Sequence, residues 1–262
     1  MTRIFDLRTL ITTIILIQIC IVTPTFAALH PDGNYSVRQD YSSLLRELLP
    51  EAEQGNLDAL YRLGVMYANG IGVDKNMDQA LNLLNEAAKY GSTDAQLMLG
   101  LIYQMGRDIP ANNTLAFNWF REAALKGNSD AQLFLGLMYA KGQSVPANYE
   151  QAVSWFRESA TQGNSMAEFS LGVMYTLGNG VSQDFVTALS WYQKAASQGN
   201  ARAQYNIGVM YDTGKGVERN EEQAVHWLRE AAAQGFPLAE IYLRQRLTEK
   251  TDFSPSHTLA SF

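Results

Sequence analysis

Three histidines and one cysteine are the imidazole and thiol side chains in this chain of 262 residues. They do not converge. His30 lies near the N-terminus, His226 late in the chain and His257 near its end, so no two sit at the i, i+4 spacing that puts paired imidazoles on one helix face. His226 occupies a register held elsewhere by Asn82, Asn118, Ser154 and Ser190, which predicts a solvated helix face. A single Cys20 excludes an intramolecular disulfide and any cysteine-based zinc or iron–sulfur centre. Nucleophile signatures are missing too: there is no G-x-S-x-G elbow and no S-x-x-K. The Gly-x-Gly strings at Gly70, Gly178 and Gly214 follow no strand, so they read as turns and not as dinucleotide cradles. The acid pair Glu221-Glu222 follows a loop, where it suits the positive end of a helix dipole. The sequence therefore predicts no enzyme, no cofactor and no metal. A net charge of -6 argues against nucleic acid, which requires a basic face.

The first residues read as a targeting segment. Arg3 and Arg8 precede an apolar run from Leu10 to Val22, and Thr25-Phe26-Ala27 places small residues at the positions a signal peptidase requires. Such a run spans about 20 Å as a helix, short of a hydrocarbon core of about 30 Å. A cleaved signal over 1–27 is predicted, in preference to an anchor. Ile19 before Cys20 disfavours a lipoprotein signal. Cleavage removes the only cysteine, which suits an oxidising compartment. No second apolar run of spanning length follows, so no stable membrane insertion is expected after cleavage, and the location expected is periplasmic or secreted.

The remainder is written in a repeat. Glycines stand at 55, 91, 127, 163, 199 and 235, each gap being 36 residues. Alanine recurs at 59, 95, 131, 167, 203 and 239, glycine at 64, 100, 136, 172 and 208, and tyrosine at 67, 103, 139, 175 and 211. Alanine recurs again at 80, 116, 152, 188 and 224, and Trp119, Trp155, Trp191 and Trp227 share one register with Leu83. A period of this size means a solenoid or array, which overrules the one or two domains that length alone suggests. Within a unit, Ala59, Leu63, Met66 and Tyr67 fall on one helical face between Asp58 and Asn69. A second helix is predicted from Met77 to Tyr90 with Ala80, Leu83, Leu84, Ala87 and Ala88 inward. The glycine at 64 and its equivalents costs about 1 kcal/mol in a helix, so its recurrence predicts close helix approach, with the Ala80 series as the facing surface. The tyrosine and tryptophan registers are expected to fill the core.

The string G-N-x-x-A-x-x-x-L-G-x-x-Y-x-x-G-x-G-V followed by A-x-x-W-x-x-x-A-A-x-x-G resembles the Sel-one-like repeat (SLR) family. In the fourth unit it reads GNSMAEFSLGVMYTLGNGVSQDFVTALSWYQKAASQG, residues 163–199. The resemblance implies an all-α fold, an α/α solenoid (right-handed superhelix) of helix-turn-helix units with a concave groove. The units expected are 55–90, 91–126, 127–162, 163–198 and 199–234. A leader and N-terminal capping helix would occupy 28–54, a C-terminal capping helix 235–250 and a disordered tail 251–262. Tyr41 to Leu49 reads as a helix in the register of a second helix, kinked or ended by Pro50. The second and third units depart from the motif: Asp108 and Ser144 replace the second loop glycine, with Pro110 and Pro146 soon after, so differently bent loops are expected.

In a solenoid, positions that differ between units are free of the packing constraint. Two such registers lie seven residues apart, on one helical face. One reads Arg62, Met98, Phe134, Ser170 and Asn206; the other reads Asn69, Met105, Lys141, Leu177 and Thr213. As a groove, Arg62, Met98, Met105, Phe134, Lys141, Ser170, Leu177, Asn206 and Thr213 would give an apolar centre with a polar rim, the construction of a protein-binding site. The competing assignment places Met98 and Phe134 in the core between repeats. The resemblance implies a non-catalytic adaptor or scaffold that binds a protein or peptide, as an envelope regulator or host-interaction factor. The alternatives are a cell-wall-associated structural protein and a β-lactamase-like hydrolase. The last is disfavoured because the cysteine-rich relatives so described carry paired cysteines, and the mature chain has none.

Overall fold

Asparagine fixes where the helices start. In the computed structural model, Asn56 Oδ1 accepts from the backbone N–H groups of Asp58 and Ala59, and Asn76 Oδ1 from that of Gln79. These bonds satisfy amides that the first helical turn leaves without carbonyl partners. Asn112, Asn148, Asn164, Asn200 and Asn220 do the same in later units, with Ser92 and Asp184 substituting at two positions. The first helix of a unit stops at a glycine: Gly70 at φ 70° donates its N–H to Met66 O, closing the helix in the left-handed conformation that glycine adopts without a Cβ penalty.

The structure describes residues 37–252, with side chains described over 41–246. The predicted signal at 1–27, most of the leader and nearly all of the tail lie outside them. Twelve helices and no strand occur among the described residues. They are α1 (Val37–Glu53), α2 (Leu57–Asn69), α3 (Met77–Lys89), α4 (Thr93–Met105), α5 (Asn113–Leu125), α6 (Ser129–Lys141), α7 (Tyr149–Thr161), α8 (Ser165–Leu177), α9 (Phe185–Ser197), α10 (Ala201–Thr213), α11 (Glu221–Ala233) and α12 (Pro237–Asp252). From α2 to α11 every helix has 13 residues and recurs at the sequence period. The fold is all-α, built of consecutive helix pairs. Pro50 does not end the first helix: α1 runs through it to Glu53. The proline withholds one N–H from the ladder, and its own carbonyl still accepts from Gln54 N–H as the helix closes.

Two compact units divide the chain, 37–138 with Gln143–Val145 and Tyr139–Gly142 with 146–252. In the first, Leu48, Leu60, Leu63, Met66, Leu84 and Leu99 form a continuous core. In the second, Phe156, Phe169, Leu171, Met174, Tyr192 and Ile207 are buried, the Phe169 and Tyr192 rings lying 5.7 Å apart.

The helical glycines serve as sockets. A Cβ on Gly64 would meet Leu84 Cγ at 2.7 Å, one on Gly100 the Phe120 ring at 2.5 Å and one on Gly172 the Tyr192 ring at 2.5 Å. The Ala80 series faces these sockets, with Ala80 O 3.4 Å from a Cβ on Gly64 and Ala224 O 3.1 Å from one on Gly208. Large side chains one register beyond the tryptophans therefore fill the core. Trp119, Trp155, Trp191 and Trp227, like the Tyr67 series, are half-buried around it.

The loop departures have two outcomes. Ser144 keeps the left-handed conformation of the glycine it replaces, at φ 66°, beside Gly72 at 72°. Asp108 leaves that region and accepts instead from Lys75 Nζ of the preceding unit at 2.6 Å.

Candidate protein-docking face

The first helices of the units, α2, α4, α6, α8 and α10, carry both variable registers, and burial separates the two. At the upper register Phe134 is 1% exposed, with its ring stacked 4.9 Å from Phe120. Met98 is 7% exposed, and Ser170, at 1%, donates its hydroxyl to Met166 O. These three side chains are spent on internal packing. Arg62 and Asn206, in the first and last units, are half-buried: Arg62 Nε pairs with Asp58 at 2.7 Å, and Asn206 Nδ2 donates to Arg202 O.

The lower register stays open throughout. Met105, Lys141 and Leu177 are half-buried, while Asn69 and Thr213 are exposed. Asn69 Nδ2 and Thr213 Oγ1 donate to carbonyls of their own helices, Val65 O and Val209 O. Lys141 has neither a hydrogen bond nor an ion pair among the described residues, and burial alone lowers its ammonium to about 8. The first-turn register, which sequence reading did not single out, belongs to the same face four residues before Arg62. It reads Asp58, Asp94 and Asp130 in the first unit of the structure, then Met166 and Arg202 in the second. Between the first two of these acids Tyr61 is pushed up to about 12, by burial first and then by Asp94 and Asp58. Burial lowers Arg202 from its usual range.

On the opposite side of these helices a glutamine ladder seals neighbouring helix ends. Gln96 Nε2 donates to Ala88 O and Gln132 Nε2 to Ala124 O. Glu168 holds the same register in the fourth repeat. A carboxylate cannot donate; it accepts from Gln198 Nε2 at 2.8 Å, and burial raises its pKa. No cluster of His, Cys, Asp and Glu able to hold a metal occurs among the described residues, and His226 is exposed. No helix among them is long and apolar enough to cross a membrane.

The Sel1 repeat family model matches five contiguous segments, 57–92, 93–128, 129–164, 165–200 and 201–236, each beginning two residues after the glycine that marks the period. Among solved structures, the chain is similar to a protective antigen of uropathogenic Escherichia coli displaying an SLR fold. That likeness has 39% identity and a TM-score of 0.74, and covers 76% of this chain and 43% of the antigen. The chain thus spans less than half the length of that relative. A Sel1 repeat protein from Oxalobacter formigenes is 31% identical with a TM-score of 0.73, over 77% of this chain and 80% of its own. An immunity protein of Pseudomonas aeruginosa shares the fold at 20% identity and a TM-score of 0.53, over 82% and 80% of the two chains. Comparison with curated proteins gives no match. Sel1 repeats are protein-interaction modules, generally non-catalytic scaffolds, and with five consecutive matches and the same helix pair in every one, this chain belongs to the Sel1 repeat family.

Proposed function

We propose that this chain is an exported, non-catalytic docking protein that binds a protein or peptide of the cell envelope or of a host on the open face of its first helices. One observation carries the reading. The small-residue registers that pack (Ala59, Gly64, Ala80 and their equivalents) repeat unchanged and are buried, whereas the register of Asn69, Met105, Lys141, Leu177 and Thr213 changes chemistry at every step and stays open. Packing explains sameness; it does not explain variety on an accessible face, which is where recognition is encoded. The signal-like segment at 1–27 and the likeness to a protective antigen support export.

The test is affinity capture with the mature chain beside its Leu177→Arg variant, from bacterial envelope extract and from host-cell lysate. Leu177 is half-buried at a helix end, so arginine is accommodated and folding survives. A protein retained by the mature chain and lost with Leu177→Arg is the expected result. Equal retention by both removes this face from recognition. Export is checked by the intact mass of the secreted chain, expected to begin at Ala28.

A further inference from the structure

We propose that the open face of the second unit, centred on Lys141 and Leu177, takes an acidic, partly apolar peptide segment, with a partner carboxylate seated on the Lys141 ammonium. The proposal rests on the docking reading above and names the chemistry of the partner.

Lys141 is the group left over. Every other polar side chain on the two variable registers has a local partner: Arg62 has Asp58, Ser170 has Met166 O, Asn206 has Arg202 O, Thr213 has Val209 O and Asn69 has Val65 O. Lys141 has none, although it is half-buried and burial draws its ammonium down to about 8. A partly desolvated cation that no protein group pairs, and whose ammonium still reaches the surface, is open to a carboxylate from a ligand.

The surrounding charges point the same way. The carboxylates of α8 and α10 are both engaged internally, Glu168 by Gln198 Nε2 and Asp212 by Tyr242 Oη and Arg246. The face that these two helices present carries Met166, Leu177, Arg202 and Thr213 and no free acid. In the first unit the same first-turn register carries Asp58, Asp94 and Asp130. Within a chain of net charge -6, a lysine without an acidic partner, followed by two helices whose acids are internally engaged, selects for an acidic ligand; the first-turn acids Asp58 and Asp94, and Asp130 at the far end of Lys141's own helix, select against it elsewhere. Leu177, in the same register one repeat on, supplies the apolar contact.

The experiment uses the mature full chain and three fluorescein-labelled peptides of one length: one alternating glutamate with leucine and serine, one with glutamine in place of glutamate, and one with lysine there. Fluorescence anisotropy at low and at physiological salt should show the acidic peptide bound roughly tenfold more tightly than the glutamine peptide, about what one charge-assisted hydrogen bond supplies. The lysine peptide should not bind. Lys141→Met should cost the acidic peptide that same factor while leaving the thermal midpoint unchanged or higher, because the variant removes a desolvated charge. Equal binding of the acidic and glutamine peptides, no binding at all, or full affinity in Lys141→Met overturns the proposal. A lowered midpoint in Lys141→Met also overturns it, by showing that the lysine serves the end of its own helix. A captured partner lost with Leu177→Arg but kept with Lys141→Met leaves the docking reading standing and removes the acidic peptide; one kept with both removes both.

Discussion

Gly100 lies beneath the ring of Phe120. A methyl group at its Cα would sit 2.5 Å from two ring carbons, and the same ring stacks against Phe134 at 4.9 Å. The glycine is thus the floor of a socket, and the aromatic stack is what it seats. Gly100→Ala gains about 1 kcal/mol of helix propensity and loses about 1–3 kcal/mol to overpacking, since a ring held in a stack cannot step aside. Gly64→Ala meets a leucine, whose branched end changes rotamer, so it should cost less. Denaturant unfolding of the two variants should rank Gly100→Ala as the more destabilised; the reverse order would mean that ring and helix shift together.

Phe134→Ala and Met98→Ala distinguish the two assignments of the upper variable register. Both side chains are buried, which makes their removal a cavity problem: about 3–5 kcal/mol for the phenylalanine and about 2–5 kcal/mol for the methionine. Thermal midpoints should fall in both variants, while the folded protein keeps full affinity for a partner bound by the lower register. Lost affinity with an unchanged midpoint would restore these residues to the groove.

Much of the fold is legible in the sequence because the determinants are local. The Gly-Asn pair at the head of four units, Gly91-Ser92 in the second, is a helix stop followed by a cap, and the observed helix ends fall within a residue of those the spacing predicts. The choice of core aromatic is not local. Trp119 and Phe120 are neighbours, about 100° apart around α5. Recurrence of tryptophan favours its register, yet the glycine socket of the facing helix receives Phe120, and tryptophan is left half-exposed, as at Trp191, where Lys194 Nζ sits 4.0 Å above the ring. The candidate face fails in part for a related reason. Phe134 and Lys141 share an angular position on α6, but seven residues are about 10 Å along the axis. Packing closes over one height and leaves the other open, and periodicity carries no information on height.

Glu168→Gln should stabilise the protein. The variant keeps an oxygen to accept from Gln198 and gains an amide that can donate as Gln96 does to Ala88 O. Burial raises the folded pKa of Glu168, so the folded state binds its proton more tightly than the unfolded state does. The stability from this group is fully present below the unfolded value of about 4.3 and is lost as pH rises through the folded value. At pH 7 the glutamine variant should therefore be more stable by about 1 kcal/mol, with the advantage shrinking as pH falls through the raised folded value toward the unfolded value of about 4.3 and constant below it. Parallel urea titrations at pH 7 and pH 4 check it; an advantage that does not shrink in acid would assign the gain to the amide alone.

The C-terminal helix adds charge to its apolar joint. Asp212 pairs with Arg246 of α12 and accepts from Tyr242 Oη at 2.5 Å, while Glu221 lies 3.7 Å from the same guanidinium. The register of Asp212 is alanine in two other repeats, Ala68 and Ala140, both buried. Arg246→Met leaves the Asp212 carboxylate, whose side chain is only 11% exposed, without its cation, at a cost of about 1–3 kcal/mol. Nearest-neighbour stacking confines that loss to the last joint, so hydrogen exchange should accelerate over α12 and leave α2 to α5 unchanged. Asp212→Ala in the same chain removes the stranded charge and installs the side chain that two other repeats use, as at Ala68 and Ala140. The double variant should therefore recover part of the stability lost by Arg246→Met. Losses that simply add would show that the two residues act independently.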